Sequence, residues 1–187
     1  MEYELIRSAR RTIGAEIKNG RLVVRAPYLA GKRDIERFLD SQSGRIEKAL
    51  ERARAREEKK AAVAKLTPEE VRALAAEARR VVPERCAFFA PLVGVKYGRI
   101  TIRTQRSRWG SCSSKGNLNF NCLLMKAPPE VLDGVVVHEL CHIKEMNHSA
   151  RFYAEVTRVL PDYKKRRKWL DDNGDLLMAM LENDGKN

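Results

Sequence analysis

VVVHELCHIKEMNHSARFY, Val135 to Tyr153, holds all 3 histidines of the chain. His138 and His142 stand four apart, and His148 follows six later. On a helix, residues four apart lie on one face, one turn above the other, so two imidazoles can aim at one point. Neutral imidazole is the usual nitrogen ligand of zinc, and a catalytic zinc takes three protein ligands and keeps a fourth position open for water. Glu139 directly follows the first of the pair. A carboxylate in that place reaches water on the metal without itself binding the metal. Because zinc brings the pKa of that water to about 7, the carboxylate can take its proton. This is the mechanical content of the HExxH pattern.

The third ligand requires a change of direction. His148 lies off the face shared by His138 and His142, so the chain must turn between them. Asn147 adopts the left-handed conformation more easily than most residues and is the candidate turning point. The spacing equals that of the metzincin pattern, with Glu145 where that pattern has glycine. The apolar run VLDGVVV ahead of the histidines suits a buried helix that holds ligands rigidly.

The bulk properties bound what such a site can belong to. The chain has 187 residues and is 43% hydrophobic, enough for one cored domain with an appendage. No run approaches the roughly 18 apolar residues of a membrane span, and the opening MEYELIRSARR has no signal-peptide character. The 4 cysteines, Cys86, Cys112, Cys122 and Cys141, include no CxxC pair and read as reduced thiols, which points to the cytoplasm. The net charge of +12 admits a polyanionic partner without identifying one. Its densest part, the five consecutive cations Lys164–Lys168, reads as a solvated face, with a nucleic-acid surface as the less favoured alternative.

Two regions differ in pattern. In residues 1–66, β-prone runs flank Asn19-Gly20, the strongest two-residue hairpin signal, and predict an antiparallel pair over Thr12–Lys18 and Arg21–Ala26 that Pro27 ends. From Asp34 the period becomes helical, with an interruption expected at Ser43-Gly44 before a long charged helix. Residues 67–187 form the second region. Thr67, Pro68 and Glu70 make a helix start with capping-box spacing. VKYGRITIRTQ reads as a strand, RSRWGSCSSKGN as a loop and LNFNCLLM as another strand. Helices follow over PPEVLDGVVVHELCHIKEM and, capped by Ser149, over SARFYAEVTRVL to Pro161. One or two more are expected over DYKKRRKWLDDNGDLLMAML.

Arg108–Leu170, with its RWGSC loop, HELCH and NHS, resembles the YgjP-like bacterial metallopeptidases, and GRLVVRAP extends the likeness more weakly toward the N-terminus. The resemblance implies an α+β fold: a zincin-like core with a small mixed or antiparallel sheet and a buried HExxH helix, preceded by the N-terminal β-hairpin and helix. It implies zinc on His138, His142 and His148 with Glu139 as general base, and relatedness to the SprT-type and WLM-type metalloproteases, some of which act on proteins crosslinked to DNA. The reading that follows is a zinc-dependent metallopeptidase that hydrolyses peptide bonds through a metal-activated water. The alternatives are a non-peptidase zinc hydrolase on the same fold and a DNA-associated protease or nucleic-acid-binding protein.

Zincins usually take peptide substrate as an added strand on the sheet edge beside the metal, and Asn117–Asn121 is the expected edge. The oxyanion donor is sought among Tyr153, Tyr163, Arg108 and Arg151, with Tyr153 favoured for its place one helical turn or so past His148. Cys112 is read as structural, with a fourth zinc ligand as the alternative. Cys141 is read as core and Trp109 as a packing anchor. No oligomeric state follows from the sequence.

Overall fold

The computed structural model describes residues 2–18 and 20–181, which divide into two compact units, Met1–Ala62 and Val63–Asn187. The fold is α+β throughout.

In the first unit, β1 (Glu4–Ser8), β2 (Gly14–Lys18) and β3 (Arg21–Pro27) form a sheet of order β1-β3-β2. β2 and β3 pair antiparallel, as the hairpin signal predicts, and Gly20 takes φ 72° at the turn, while Asn19 lies outside the described residues. The sequence reading missed β1, which runs parallel to β3. A parallel partner is joined by a long connection, so no local turn signal announces it. α1 (Lys32–Ala62) is continuous, without the interruption expected at Ser43-Gly44. Its buried Ile35, Leu39 and Ile46 pack with Leu22, Val24 and Ala26 of β3, so Gly44 falls in a helix held by tertiary contacts on either side.

The second unit is built around one buried helix. α2 (Pro68–Val93) starts at the predicted capping box: the Thr67 hydroxyl accepts from Glu70 N–H at 3.2 Å, and the Glu70 carboxylate accepts from Thr67 N–H at 2.8 Å. It continues through Pro83 and Pro91, because Val82, Cys86, Phe89 and Val93 bury one side against the core. β4 (Ile100–Arg103), β5 (Gly110–Cys112) and β6 (Leu118–Asn121) form a mixed sheet of order β4-β6-β5, with β4 parallel and β5 antiparallel to β6. A 3-10 turn (Cys122–Lys126) then leads to α3 (Pro129–Cys141), α4 (Ala150–Val159) and a single α5 (Tyr163–Ala179).

Two expectations are corrected here. GSC is a strand rather than part of a loop, since Gly110, Ser111 and Cys112 pair with Phe120, Asn119 and Leu118. LNFN is the central strand of its sheet rather than the edge, so Asn117–Asn121 cannot accept a substrate strand. The strand also ends at Asn121, before CLLM. Fully buried Asn121 donates from Nδ2 to the carbonyls of Gln105 (2.6 Å) and Arg108 (3.1 Å), while its Oδ1 accepts from Leu123 N–H at 3.1 Å and starts the 3-10 turn.

α3 is buried along nearly its whole length, including Val136, Val137, Leu140 and Cys141 at 0% exposure. Arg85 of α2 grips Asp133 with two bonds, at 2.7 and 2.9 Å. On its other flank α5 comes so close at Gly134 that a Cβ there would stand 3.2 Å from Arg166 Cβ. Arg166 Nη1 then donates to the Glu130 carbonyl at 2.9 Å.

Replacing Asn121 with alanine should lower unfolding stability by about 3 kcal/mol, because it leaves buried backbone groups without partners. Asn119→Ala, which removes one bond to Ser111 Oγ, should cost under about 1 kcal/mol. Denaturant midpoints of the two variants check the contrast.

Candidate metal centre

α3 delivers His138 and Glu139 into the core and ends at Cys141, five residues earlier than the sequence reading had it. His142 is the C-cap residue, and the turn starts there. The Ile143 N–H bonds to the Leu140 carbonyl, and the Lys144 and Glu145 N–H groups both bond to the Cys141 carbonyl. His142 Nδ1 donates to the Glu145 carbonyl at 3.0 Å, which fixes the tautomer with the Nε2 lone pair free to face inward. Lys144 Nζ reaches Glu155 at 3.1 Å and ties the turn to α4. Ser149 caps α4 as predicted, accepting from Phe152 N–H at 3.3 Å, and places His148 immediately before that helix.

The three imidazoles converge through their Nε2 atoms. His142 Nε2 stands 3.2 Å and His148 Nε2 3.0 Å from His138 Nε2. Nitrogens about 2.0–2.1 Å from one tetrahedral ion lie about 3.3 Å apart, close to these two separations, and all three ligand atoms lie within 4.8 Å of one another. Among the described residues these three form the group able to hold a metal ion. Burial, then the neighbouring His142, His148 and Arg167, pushes His138 down to about 3. Burial also lowers His142, against the bond to the Glu145 carbonyl. Both effects keep the rings neutral, the form that ligates.

Glu139 points from the same turn of α3 and is 5% exposed. Burial pushes its carboxyl up to about 8, with the Arg108 charge opposing. Its Oε2 is buried without a hydrogen-bond partner among the described residues. Its other oxygen lies against Gly110 of β5, where a Cβ would stand 2.5 Å from Oε1. The RWGSC glycine is therefore required by the glutamate. An orphaned carboxyl oxygen beside three converging imidazoles fits a cation with one position left for water.

Two supporting residues emerge only in three dimensions. Tyr163, 5% exposed, places its hydroxyl 2.7 Å from His138 Nδ1. Burial raises this phenol, and its hydrogen bond from Arg167 opposes that shift. Such partners fix the orientation of a ligating ring. Phe152, fully buried, lies under all three imidazoles, with ring centroids at 4.8 Å (His138), 4.5 Å (His142) and 5.0 Å (His148). The signal for Phe152 was present: it stands four residues after His148, on the inward face that the Ser149 cap sets for α4.

The remaining candidates separate. Tyr153 is exposed, with its ring 6.2 Å from that of His148. Arg108 and Arg151 are exposed, Arg108 offering its carbonyl to Asn121. Cys141 is core, as read. The Cys112 thiol lies in β5 outside the metal group, donating to the Ser113 carbonyl at 3.4 Å and pushed up to about 11 by burial and then by Glu139. Trp109 packs over Gly174 of α5 and lines a cavity of about 320 Å³ that His138, Glu139, Tyr163 and Arg167 also border. In the basic run, Arg166 pairs with Asp162, Arg167 with Asp171 and Lys168 with Asp172.

The three converging imidazoles and the buried carboxyl of Glu139 suit a metal-dependent hydrolase on an α+β scaffold. Residues 64–173 match the YgjP-like metallopeptidase domain, and the chain belongs to that family. It is thus a metal-dependent peptidase by family, and membership implies a catalytic metal. No curated protein matches the chain. Among solved structures it is similar to the metallopeptidase zymogen abylysin of Pyrococcus abyssi, at 21% identity and TM-score 0.45 over 49% of this chain and 94% of that one. It is also similar to the zymogen jannalysin of Methanocaldococcus jannaschii, at 18% identity and TM-score 0.45 over 50% and 97%. No described helix is long and apolar enough to cross a membrane.

Phe152→Ala should lower stability by about 3–5 kcal/mol and release metal at a lower chelator concentration than wild type, because the three rings lose their common support. Phe152→Leu should retain most of both. Denaturant unfolding and chelator titration provide the two readouts.

Proposed function

We propose that the chain is a zinc-dependent peptidase in which His138, His142 and His148 hold the ion through Nε2 and Glu139 is the general base. The observation that carries this reading is the convergence of three Nε2 atoms beside the partnerless Oε2 of Glu139. Zinc at such a site lowers the pKa of a coordinated water to about 7 and polarises a carbonyl.

The chain's own groups do the rest. Glu139 Oε2 receives the proton of the attacking water and returns it to the leaving amine. The close pass of Gly110 holds that carboxylate in place. Tyr163 positions His138 and is in turn held by Arg167. Because β5 is the sheet edge beside α3, the peptide would lie along its outer side. Tyr153 remains the proposed oxyanion donor, since its ring lies near His148 while the Tyr163 hydroxyl is already engaged by His138 and Arg167. All of these groups fall in the second unit. Residues 1–66 are assigned an accessory role in substrate access, and residues 67–187 the catalytic role.

Purified protein should contain one zinc per chain. His138→Ala and His142→Ala should lose it. Glu139→Gln should keep it while cleavage of casein or a peptide library falls about a thousandfold. Full activity in Glu139→Gln, with zinc in place, would place the base elsewhere. A chain beginning at Val63 should still bind zinc; a folded fragment without metal would contradict the assignment of residues 1–66.

A further inference from the structure

The sheet of the second unit has another edge. β4 lies at the end opposite β5, across the central β6. Its ladder to β6 is parallel, and Leu118 N–H donates to the Arg99 carbonyl at 2.9 Å. Residues alternate along such a ladder. Arg99, Thr101 and Arg103 therefore turn their backbone groups toward β6, and the N–H and C=O of Ile100 and Ile102 turn outward. No further strand among the described residues pairs with that side.

A groove of about 460 Å³ runs beside this edge, lined by Arg79 and Pro83 of α2 and by residues 99–103. Pro83 has no N–H, so the Arg79 carbonyl lacks its usual helical donor. Arg79, Arg99 and Arg103 are all exposed, and none is in an ion pair among the described residues. The cations Arg166, Arg167 and Lys168 of α5, by contrast, each have a carboxylate partner. Side chains alternate along a strand, so Arg99 and Arg103 project to the sheet face opposite Ile100 and Ile102. Those two isoleucines pack toward the core that α2 helps to build. A strand added in the groove would thus have guanidinium on both faces: Arg79 on the helix side, Arg99 and Arg103 on the other.

We infer that the outer edge of β4 is a docking site for an extended acidic peptide segment of a partner protein, added as a fourth strand. Main-chain bonds to Ile100 and Ile102 give the affinity, and the three arginines select acidic side chains. Charge on an edge also deters strand pairing between copies. One lysine or arginine on the strand itself serves that purpose, whereas here a third guanidinium arrives from α2 and closes the far wall of the groove. Nucleic acid could use the guanidinium groups but would leave the outward amides and carbonyls of the strand unused. The site is independent of the metal centre and of the peptidase reading.

The test is fluorescence anisotropy of a labelled eight-residue peptide of glutamate and valine, blocked at both ends, against the full-length chain, with mass spectrometry confirming an intact probe. Three further probes are the glutamine-for-glutamate version, a version N-methylated at alternate residues, and oligo(dT). The acidic peptide should bind, and the glutamine and N-methylated versions should each bind at least about tenfold more weakly. The variant Arg79→Ala/Arg99→Ala/Arg103→Ala, its fold verified by circular dichroism, should weaken the acidic peptide by about the same factor. Equal binding of the N-methylated peptide would overturn strand addition. Unchanged binding in the triple variant would overturn the location. Binding of oligo(dT) but not peptide, lost in the triple variant, would replace the inference with a nucleic-acid surface.

Discussion

A helix buried on nearly every side carries a carboxyl group and an imidazole into an apolar core, and the second unit is arranged around that burden. Burying an ionisable group costs several kcal/mol unless partners or a shifted pKa relieve it. His138 is relieved by deprotonation and by Tyr163 at its outer nitrogen. Glu139 is relieved incompletely: burial raises its carboxyl to about 8 and leaves one oxygen without a partner. A fold that retains such a group, and removes the Cβ of residue 110 to make room for it, is organised for something to arrive at that oxygen.

Rigidity follows from the same constraint. α3 is clamped by the bidentate Arg85–Asp133 pair on one flank and by Arg166 on the other. Phe152 gives the three imidazoles one common surface, although they come from a helix interior, a helix end and the residue before another helix's cap. The clustering of the three imidazole nitrogens is therefore preorganised by packing.

What the sequence made legible was local. The helical pair His138/His142, the capping box at Thr67 and the cap at Ser149 each depend on residues a few positions apart, and each stands where the pattern puts it. The turn that brings His148 back was implied by spacing, but its start at His142 depends on that ring's bond to Glu145. What was illegible was pairing at a distance. Nothing in GSC announces a strand, since its glycine answers to Glu139 rather than to strand propensity. Nothing in LNFN says that strands flank it on both sides, so its exposure was misjudged. Tyr163 could be nominated as a polar group near the site, but its bond to His138, 25 residues away in sequence, is a product of how α5 crosses α3. The continuity of α1 across Ser43-Gly44 has the same origin, in packing against β3.

The central claim is that one zinc ion is held by three imidazole nitrogens with a fourth position open. X-ray absorption at the zinc edge on the purified, full-length protein addresses it most directly. The account predicts a first shell of three histidine nitrogens at about 2.0–2.1 Å with one light oxygen donor and no sulfur. A scatterer at about 2.3 Å would contradict it, because that distance marks a thiolate and would make Cys112 or another cysteine a ligand and the fourth position closed.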